Sequence, residues 1–300
     1  MGADLPSGHG MEFEPDSFTS MELTNVNSAI VPVVVIGPGC FKYVGTAFNI
    51  APDGLFVTAR HVLEGREGAF YWQEKYPGSQ MAVIWVGSGA GHDDVPDLLD
   101  GPIYVSAWTK YDESESDIAL LRAGMLKDGE PFIMPNVRLS SRLPRVGEKI
   151  AGLGYPKPTV ESDTAAPELR EVTLDHSLHV ATGEIVEVFE EGRDRVMLPS
   201  AGFHTEAVFE SGMSGGPVFN QDGYACGVIS FGLAPSDDYP RYTSYAALAL
   251  AIYPLWLSDG QTKMTVHEMA EKGIVATDDR FDQLEYIEED GRVGVRVPRD

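Results

Sequence analysis

The sequence predicts an all-β protein, a barrel or a sandwich, and two observations carry that prediction. Short runs of β-branched and aromatic residues recur along the chain, and clusters of Gly, Pro, Asn and Asp interrupt them every ~8–12 residues. No stretch repeats at a fixed period. With 300 residues, 43% of them hydrophobic, the chain can build a substantial core, and global disorder is excluded.

Residues 1–24, rich in Gly, Ser, Pro and acidic side chains, read as a flexible N-terminal arm. Ala29–Ile36 is a β-branched strand ended by Gly37-Pro38-Gly39. Lys42–Ile50 is a second strand, Ala51-Pro52-Asp53-Gly54 a turn and Leu55–Ala59 a third strand. Arg60-His61-Val62-Leu63-Glu64 follows as one short helical turn. Further strands are predicted over Ala69–Trp72, Met81–Val86 and Ile103–Trp108. The polar run Asp112–Asp117 makes an exposed loop that ends with Asp117 at the mouth of the apolar strand Ile118–Leu121. After a connector from Pro131 to Pro144, Gly147–Pro156 gives a turn, a strand and a glycine-rich corner, and residues 157–171 a long polar loop. Leu178–Phe189 supplies one or two strands, Arg195–Leu198 another, and Tyr224–Ser230 one more beyond the turn Asn220–Gly223. Tyr242–Leu257 is apolar, alanine-rich and helical at its end. The charged stretch 259–300 contains a hairpin over Glu285–Val297 that turns at Asp290-Gly291.

Charge narrows the partners. The chain has 22 basic and 46 acidic residues, a net charge of −24, which opposes a nucleic-acid backbone and an anionic membrane surface. The start, Met1-Gly2-Ala3-Asp4-Leu5-Pro6, has no basic region followed by an apolar run, and no apolar run reaches the ~18 residues of a membrane span. Only Cys40 and Cys226 occur, too few for a disulfide framework, so a reduced, cytoplasmic protein is expected.

The chemistry centres on Glu210-Ser211-Gly212-Met213-Ser214-Gly215-Gly216-Pro217. Glycine adopts positive φ without steric cost, so this stretch turns sharply enough to present the Ser214 hydroxyl. The same turn would aim the Gly212 and Ser214 amides at one point, where an oxyanion could sit. A tight hairpin loop without chemistry fits the local composition equally well. A serine nucleophile also needs an imidazole base and a carboxylate to fix the ring's tautomer. His61, just past a hydrophobic strand, and Asp117, opening another, supply those types at strand ends. Other candidates are weaker. Asp175-His176-Ser177-Leu178-His179 has an H-x-x-H spacing but no third ligand, so no metal site is expected. His204 either lines a pocket or is structural, and Cys226 in its apolar strand reads as core. No phosphate-binding glycine loop is present.

Taken together, the order His61, Asp117, Ser214 resembles the chymotrypsin-like (trypsin-like) serine peptidases. Thr58-Ala59-Arg60-His61 matches that family's T-A-x-H segment, Asp117-Ile118-Ala119-Leu120-Leu121 its D-I-A-L-L, and Gly212-Met213-Ser214-Gly215-Gly216-Pro217 its G-x-S-G-G-P. The resemblance covers about residues 28–257. It implies two six-stranded β-barrels with the active site in the cleft between them, then a short C-terminal helix and an acidic tail. The expected divisions are the arm 1–24, a first barrel 25–135 carrying His61 and Asp117, a second barrel 136–258 carrying Ser214, and an acidic extension 259–300. It further implies a serine endopeptidase without a cofactor, acting on a protein or peptide through an acyl-enzyme. Ser214 would be the nucleophile, His61 the base, Asp117 its orienter, and the Gly212 and Ser214 amides the oxyanion hole. Ser230-Phe231-Gly232 resembles the S-W-G strand that pairs with substrate.

The departures are informative. Met213 stands where secreted members carry an aspartate that receives a newly cleaved N-terminus, so activation by that route is not expected. With the missing disulfides, this points to intracellular bacterial-type members. Val208, six positions before Ser214 at the pocket floor, offers no carboxylate to Arg or Lys and suggests a small or apolar P1 residue. A catalytically weak peptide-binding module on the same fold, or an esterase with the same residues, stays open. An active protease also needs restraint, so a regulatory partner or an autoinhibitory segment (1–24, 157–171 or 259–300) is a further expectation.

Overall fold

Side chains alternate across a strand, and in Ile30–Gly37 (β1) both sets are apolar, so both faces are buried. Ile30 and Val34 join one core cluster, whereas Val31, Val33 and Val35 join another. The computed structural model describes residues 26, 28–37, 40–65, 71–84, 116–123, 126–127, 130–131, 134–157, 177–193, 198–235, 242–258, 263–289 and 292–298. In it β1 pairs antiparallel with Cys40–Ala51 (β2), and β2 with Leu55–Thr58 (β3). Gln80–Val83 (β4) flanks β1 and Ala119–Arg122 (β5) flanks β3, giving the order β4-β1-β2-β3-β5. Register shifts at Val33/Val34 and Asn49/Ala51 introduce bulges, which bend such a sheet into a half-barrel. The strand expected over Ile103–Trp108 lies outside the described residues.

Arg60–Glu64 (α1) is the expected helical turn. The strand expected over Ala69–Trp72 is corrected in its described part: Tyr71–Lys75 is a helix (α2). Helical spacing brings Trp72 and Tyr76 to one face, where both pack on the second core cluster and Trp72 Nε1 donates to the Val62 carbonyl at 3.0 Å. Two short strands, Leu126–Lys127 (β6) and Glu130–Pro131 (β7), pair before the connector to the second barrel.

That barrel is closed. Lys149–Gly154 (β8), His179–Phe189 (β9), Gly202–Thr205 (β10), Pro217–Phe219 (β11), Ala225–Leu233 (β12) and Thr243–Leu248 (β13) run in the order β10-β13-β12-β11-β8-β9. The stretch expected to give one or two strands over 178–189 is thus one long strand, His179–Phe189, and β10 is a strand the sequence did not announce. In Tyr242–Leu257 the helical portion is a single 3-10 turn, Ala249–Ile252. Of Arg195–Leu198, only Leu198 is among the described residues.

Beyond the barrel, Trp256–Ser258 (β14) pairs with Lys263–Thr265 (β15), Val266–Glu271 is a helix (α3), and Glu285–Glu289 (β16) pairs with Arg292–Arg296 (β17). The described part of the acidic extension is thus folded, and Val266, Met269, Val275 and Leu284 sink into the main core. It docks through the connector. Leu139 bridges both Ala225 and Thr277, and Asp278 Oδ2 accepts from Ser140 Oγ at 3.1 Å and Ser141 N at 2.8 Å. Ala225 sits at the turn end of the β11–β12 hairpin, whereas Ser214 precedes its other end.

Candidate active site

Antiparallel pairing explains why residues 56 positions apart meet. Thr58, last in β3, lies opposite Ala119, first in β5, so the chain leaving β3 and the chain entering β5 share one edge. His61 and Asp117 stand there side by side. His61 Nδ1 lies 2.9 Å from Asp117 Oδ2, and the His61 backbone N–H donates to Oδ1 at 3.1 Å. A carboxylate only accepts, so the proton sits on Nδ1 and the neutral ring presents Nε2 as an acceptor.

A third donor reaches the same carboxylate from the other barrel: Ser230 Oγ donates to Asp117 Oδ2. The sequence assigned Ser230 to the substrate strand. The structure gives its hydroxyl a second place, which no neighbouring residue in the sequence signals. Its carbonyl is engaged as well, accepting from Ser214 Oγ at 3.0 Å. Ser230 therefore touches Asp117 with its side chain and Ser214 with its backbone. Among the described residues no hydrogen bond joins Ser214 Oγ to His61; the hydroxyl is turned to Ser230.

Ser214 is brought to the first barrel by its own backbone, whose carbonyl accepts from Thr46 N at 2.8 Å. The turn around it requires glycine at two places. Gly212 has φ +101°, and a Cβ there would lie 2.4 Å from Lys157 N. Gly215 has φ +89°, and a Cβ there would lie 2.1 Å from the Thr46 carbonyl and 2.2 Å from Thr58 Oγ1. Met213 between them is fully buried in the main core, so an apolar anchor occupies the position where the sequence led us not to expect an ionic switch.

One peptide plane at the turn is fixed by a neighbour. Lys157 N donates to the Ser211 carbonyl at 2.6 Å. In a trans peptide the N–H points opposite to the carbonyl, so the Gly212 N–H faces away from Lys157. Among the described residues neither the Gly212 nor the Ser214 N–H has an acceptor in the chain.

The remaining expected positions lie along one flank. Gly232 abuts the turn's approach, since a Cβ there would fall 2.2 Å from the Phe209 carbonyl. Val208 is 41% exposed beside it. Phe231 packs on Tyr245 at 4.8 Å between ring centroids, and Tyr245 stacks on His204 at 5.3 Å. Burial holds the His204 imidazole below its ordinary range, which fits a structural ring on the barrel's outer face. Burial likewise pushes the Cys226 thiol far up, in keeping with core. Asp175 and His176 lie outside the described residues, and His179 Nε2 is 3.8 Å from Glu210 Oε1. No helix among the described residues is long and apolar enough to cross a membrane.

Comparison with known proteins agrees with the fold. The trypsin-like peptidase domain matches residues 45–228, more than half of the chain and inclusive of His61, Asp117 and Ser214. No curated protein matches. Among solved structures, the active form of the Rv3671c protease from M. tuberculosis is similar in fold, with a TM-score of 0.50 and 18% identity over 85% of this chain and 86% of that one. An inactive mutant form of Rv3671c from M. tuberculosis H37Rv aligns at a TM-score of 0.45 and 18% identity over 75% of this chain and 82% of that one. With a closed barrel, a half-barrel and a domain match running from β2 into β12, the chain belongs to the trypsin-like peptidase domain family and is a serine protease.

Proposed function

We propose that the chain is an endopeptidase in which Ser214 is the nucleophile, His61 its base and Asp117 the orienting carboxylate. The observation that carries this is the Asp117 carboxylate, which meets both the His61 backbone N–H and Nδ1 and leaves Nε2 as an acceptor. A turn of the Ser214 side chain moves its hydroxyl from the Ser230 carbonyl to Nε2. His61 then takes the proton as Oγ attacks the scissile carbonyl, and the imidazolium is stabilised by Asp117. The tetrahedral oxyanion forms opposite the Gly212 and Ser214 N–H groups. Collapse returns the proton to the leaving amine and leaves an acyl-enzyme on Ser214, which water clears by the same route.

Ser230–Gly232 is the segment proposed to pair with the substrate backbone. Val208 offers no carboxylate to a basic side chain, which favours a small or apolar P1 residue. The thiols of Cys40 and Cys226, carried on β2 and β12, fit a cytoplasmic setting. The reaction as written needs no cofactor. A regulatory partner or covering segment belongs to this proposal. The described part of the C-terminal extension docks at the Ala225 end of its hairpin, which leaves residues 1–24 and 157–171 as the candidates.

The resting contact of Ser214 Oγ with Ser230 favours one second reading, a peptide-binding module with little turnover. A fluorophosphonate probe separates the two. Labelling of the wild type and none of Ser214→Ala supports the endopeptidase. Silence of the wild type beside a labelled control hydrolase removes the active-enzyme reading. A peptide-library cleavage profile then distinguishes peptidase from esterase and reads the P1 preference.

A further inference from the structure

The Gly212 turn is clamped on both sides, and one side of the clamp belongs to the other barrel. Its leading peptide plane is held by Lys157 N on the Ser211 carbonyl at 2.6 Å. Its trailing carbonyl, that of Gly212, accepts from Thr46 Oγ1 at 2.9 Å and faces Tyr43 Oη at 3.0 Å. Both side chains come from β2, and both are buried, Thr46 fully and Tyr43 at 9% exposure. The same two hydroxyls also hold the segment behind the turn. Tyr155 N donates to Thr46 Oγ1 at 2.9 Å, and the Tyr155 carbonyl accepts from Tyr43 Oη at 2.5 Å.

Each hydroxyl has one proton, so the donors can be assigned. Thr46 Oγ1 already accepts from Tyr155, and its proton goes to the Gly212 carbonyl. The Tyr43 proton goes to the nearer Tyr155 carbonyl, with Gly212 as its second acceptor. Thr46 is therefore the direct clamp on the turn, and Tyr43 acts mainly through Tyr155. Burial pushes the Tyr43 phenol far above its ordinary range, so it remains a donor at any working pH.

Gly212 lacks a side chain to hold its own conformation, and at a glycine a peptide plane rotates with little steric resistance. The Gly212 N–H keeps its direction only if the planes on both sides of Gly212 are held. Release of the Gly212–Met213 plane, whose carbonyl Thr46 and Tyr43 bond, would let the Gly212 backbone turn and carry that N–H away from the nucleophile. We propose that Tyr43 and Thr46 are positioning residues of the first barrel that hold the Gly212 N–H toward the reacting carbonyl. This rests on the proposed role of that N–H as an oxyanion donor. Neither residue touches substrate, so their removal acts on the transition state more than on substrate binding.

The test compares Thr46→Val, Tyr43→Phe and Thr46→Ser with the wild type, each normalised to sites titrated with fluorophosphonate. An ester substrate gives kcat and KM, and a peptide boronic acid, whose tetrahedral adduct mimics the oxyanion, gives an inhibition constant. Thr46→Val should lower kcat on the order of tenfold to a hundredfold and weaken the boronate by a similar factor, with KM within about threefold. Tyr43→Phe should show a smaller change of the same sign, and Thr46→Ser should restore the wild-type values. A lowered melting temperature with kcat and boronate binding at wild-type levels would overturn the proposal, as would a loss confined to KM. Should Thr46→Val fail to fold, Tyr43→Phe, which removes one oxygen only, decides alone by the same criteria. A wild type inert to both probe and ester overturns the endopeptidase reading itself, and this inference with it.

Discussion

Asp117 holds its neighbours from two directions, the His61 ring and backbone from its own barrel and the Ser230 hydroxyl from the other. Asp117→Asn keeps the shape but places an amide where only an acceptor serves, so the wrong His61 tautomer is favoured. A fall in kcat on the order of 10⁴ is expected, read by steady-state hydrolysis of an ester. Ser230→Ala leaves the backbone carbonyl and deletes one donor, and about a tenfold fall is expected. Equal losses from both would assign the carboxylate's orientation to Ser230 rather than to His61. The sequence made His61, Asp117 and Ser214 legible because the chemistry restricts which residue types serve and the flanking strands position them. Tyr43, Thr46 and the contact of the Ser230 hydroxyl with Asp117 escaped for the opposite reason. A hydroxyl on a β-strand looks the same whether it faces water or a partner barrel, and only the fold decides.

Turns and caps carry the predictions at the scale of elements. Gly215→Ala adds a methyl against the Thr46 carbonyl and Thr58 Oγ1 at a positive φ, so a loss of roughly 2 kcal/mol or more is expected in urea unfolding. The helix α3 opens with a reciprocal capping box, in which Glu268 N donates to Thr265 Oγ1 and Thr265 N donates to Glu268 Oε2. The Thr265 N–H, and after it the Thr265 hydroxyl at 3.1 Å, donate to the Glu268 carboxylate and hold it below its ordinary 4.5. Their contribution is complete above about pH 4.5 and is lost as pH falls through the lower folded-state value. Glu268→Gln should therefore flatten the acid limb of a melting-temperature profile while leaving the neutral region less affected. An unchanged acid limb would exclude Glu268 as its source. The elements misread from sequence were the least distinctive. The helix α2 has Tyr and Trp, which favour strands, and its helical choice follows from the burial of Trp72 and Tyr76 on one face. The strand β10 has only four residues and takes its conformation from β9 and β13 on either side.

For the whole molecule, alternating apolar strands and turn chemistry were enough to read an all-β chain, and three short motifs in order pointed to the double barrel. The place of the C-terminal extension was not legible, because charged residues on its exposed faces mask Val266, Met269, Val275 and Leu284 beneath. Removal of residues 263–300 would uncover Tyr253 and Leu139, both fully buried. A lower thermal midpoint is expected, with ester hydrolysis per titrated site no faster than in the full chain. Faster hydrolysis would mean that the extension restrains the site.

The hydrogen bonds that cross from β2 to the Ser214 turn also bear on when the chain becomes dangerous to its surroundings. The proposed base and carboxylate, His61 and Asp117, belong to one barrel and the proposed nucleophile, Ser214, to the other, and β2 of the first supplies hydrogen bonds to the turn of the second. A chain with only one barrel folded would lack those contacts. On the proposed assignment, proteolytic competence would require both barrels to be in place, because the turn takes its shape from contacts that only the joined barrels make.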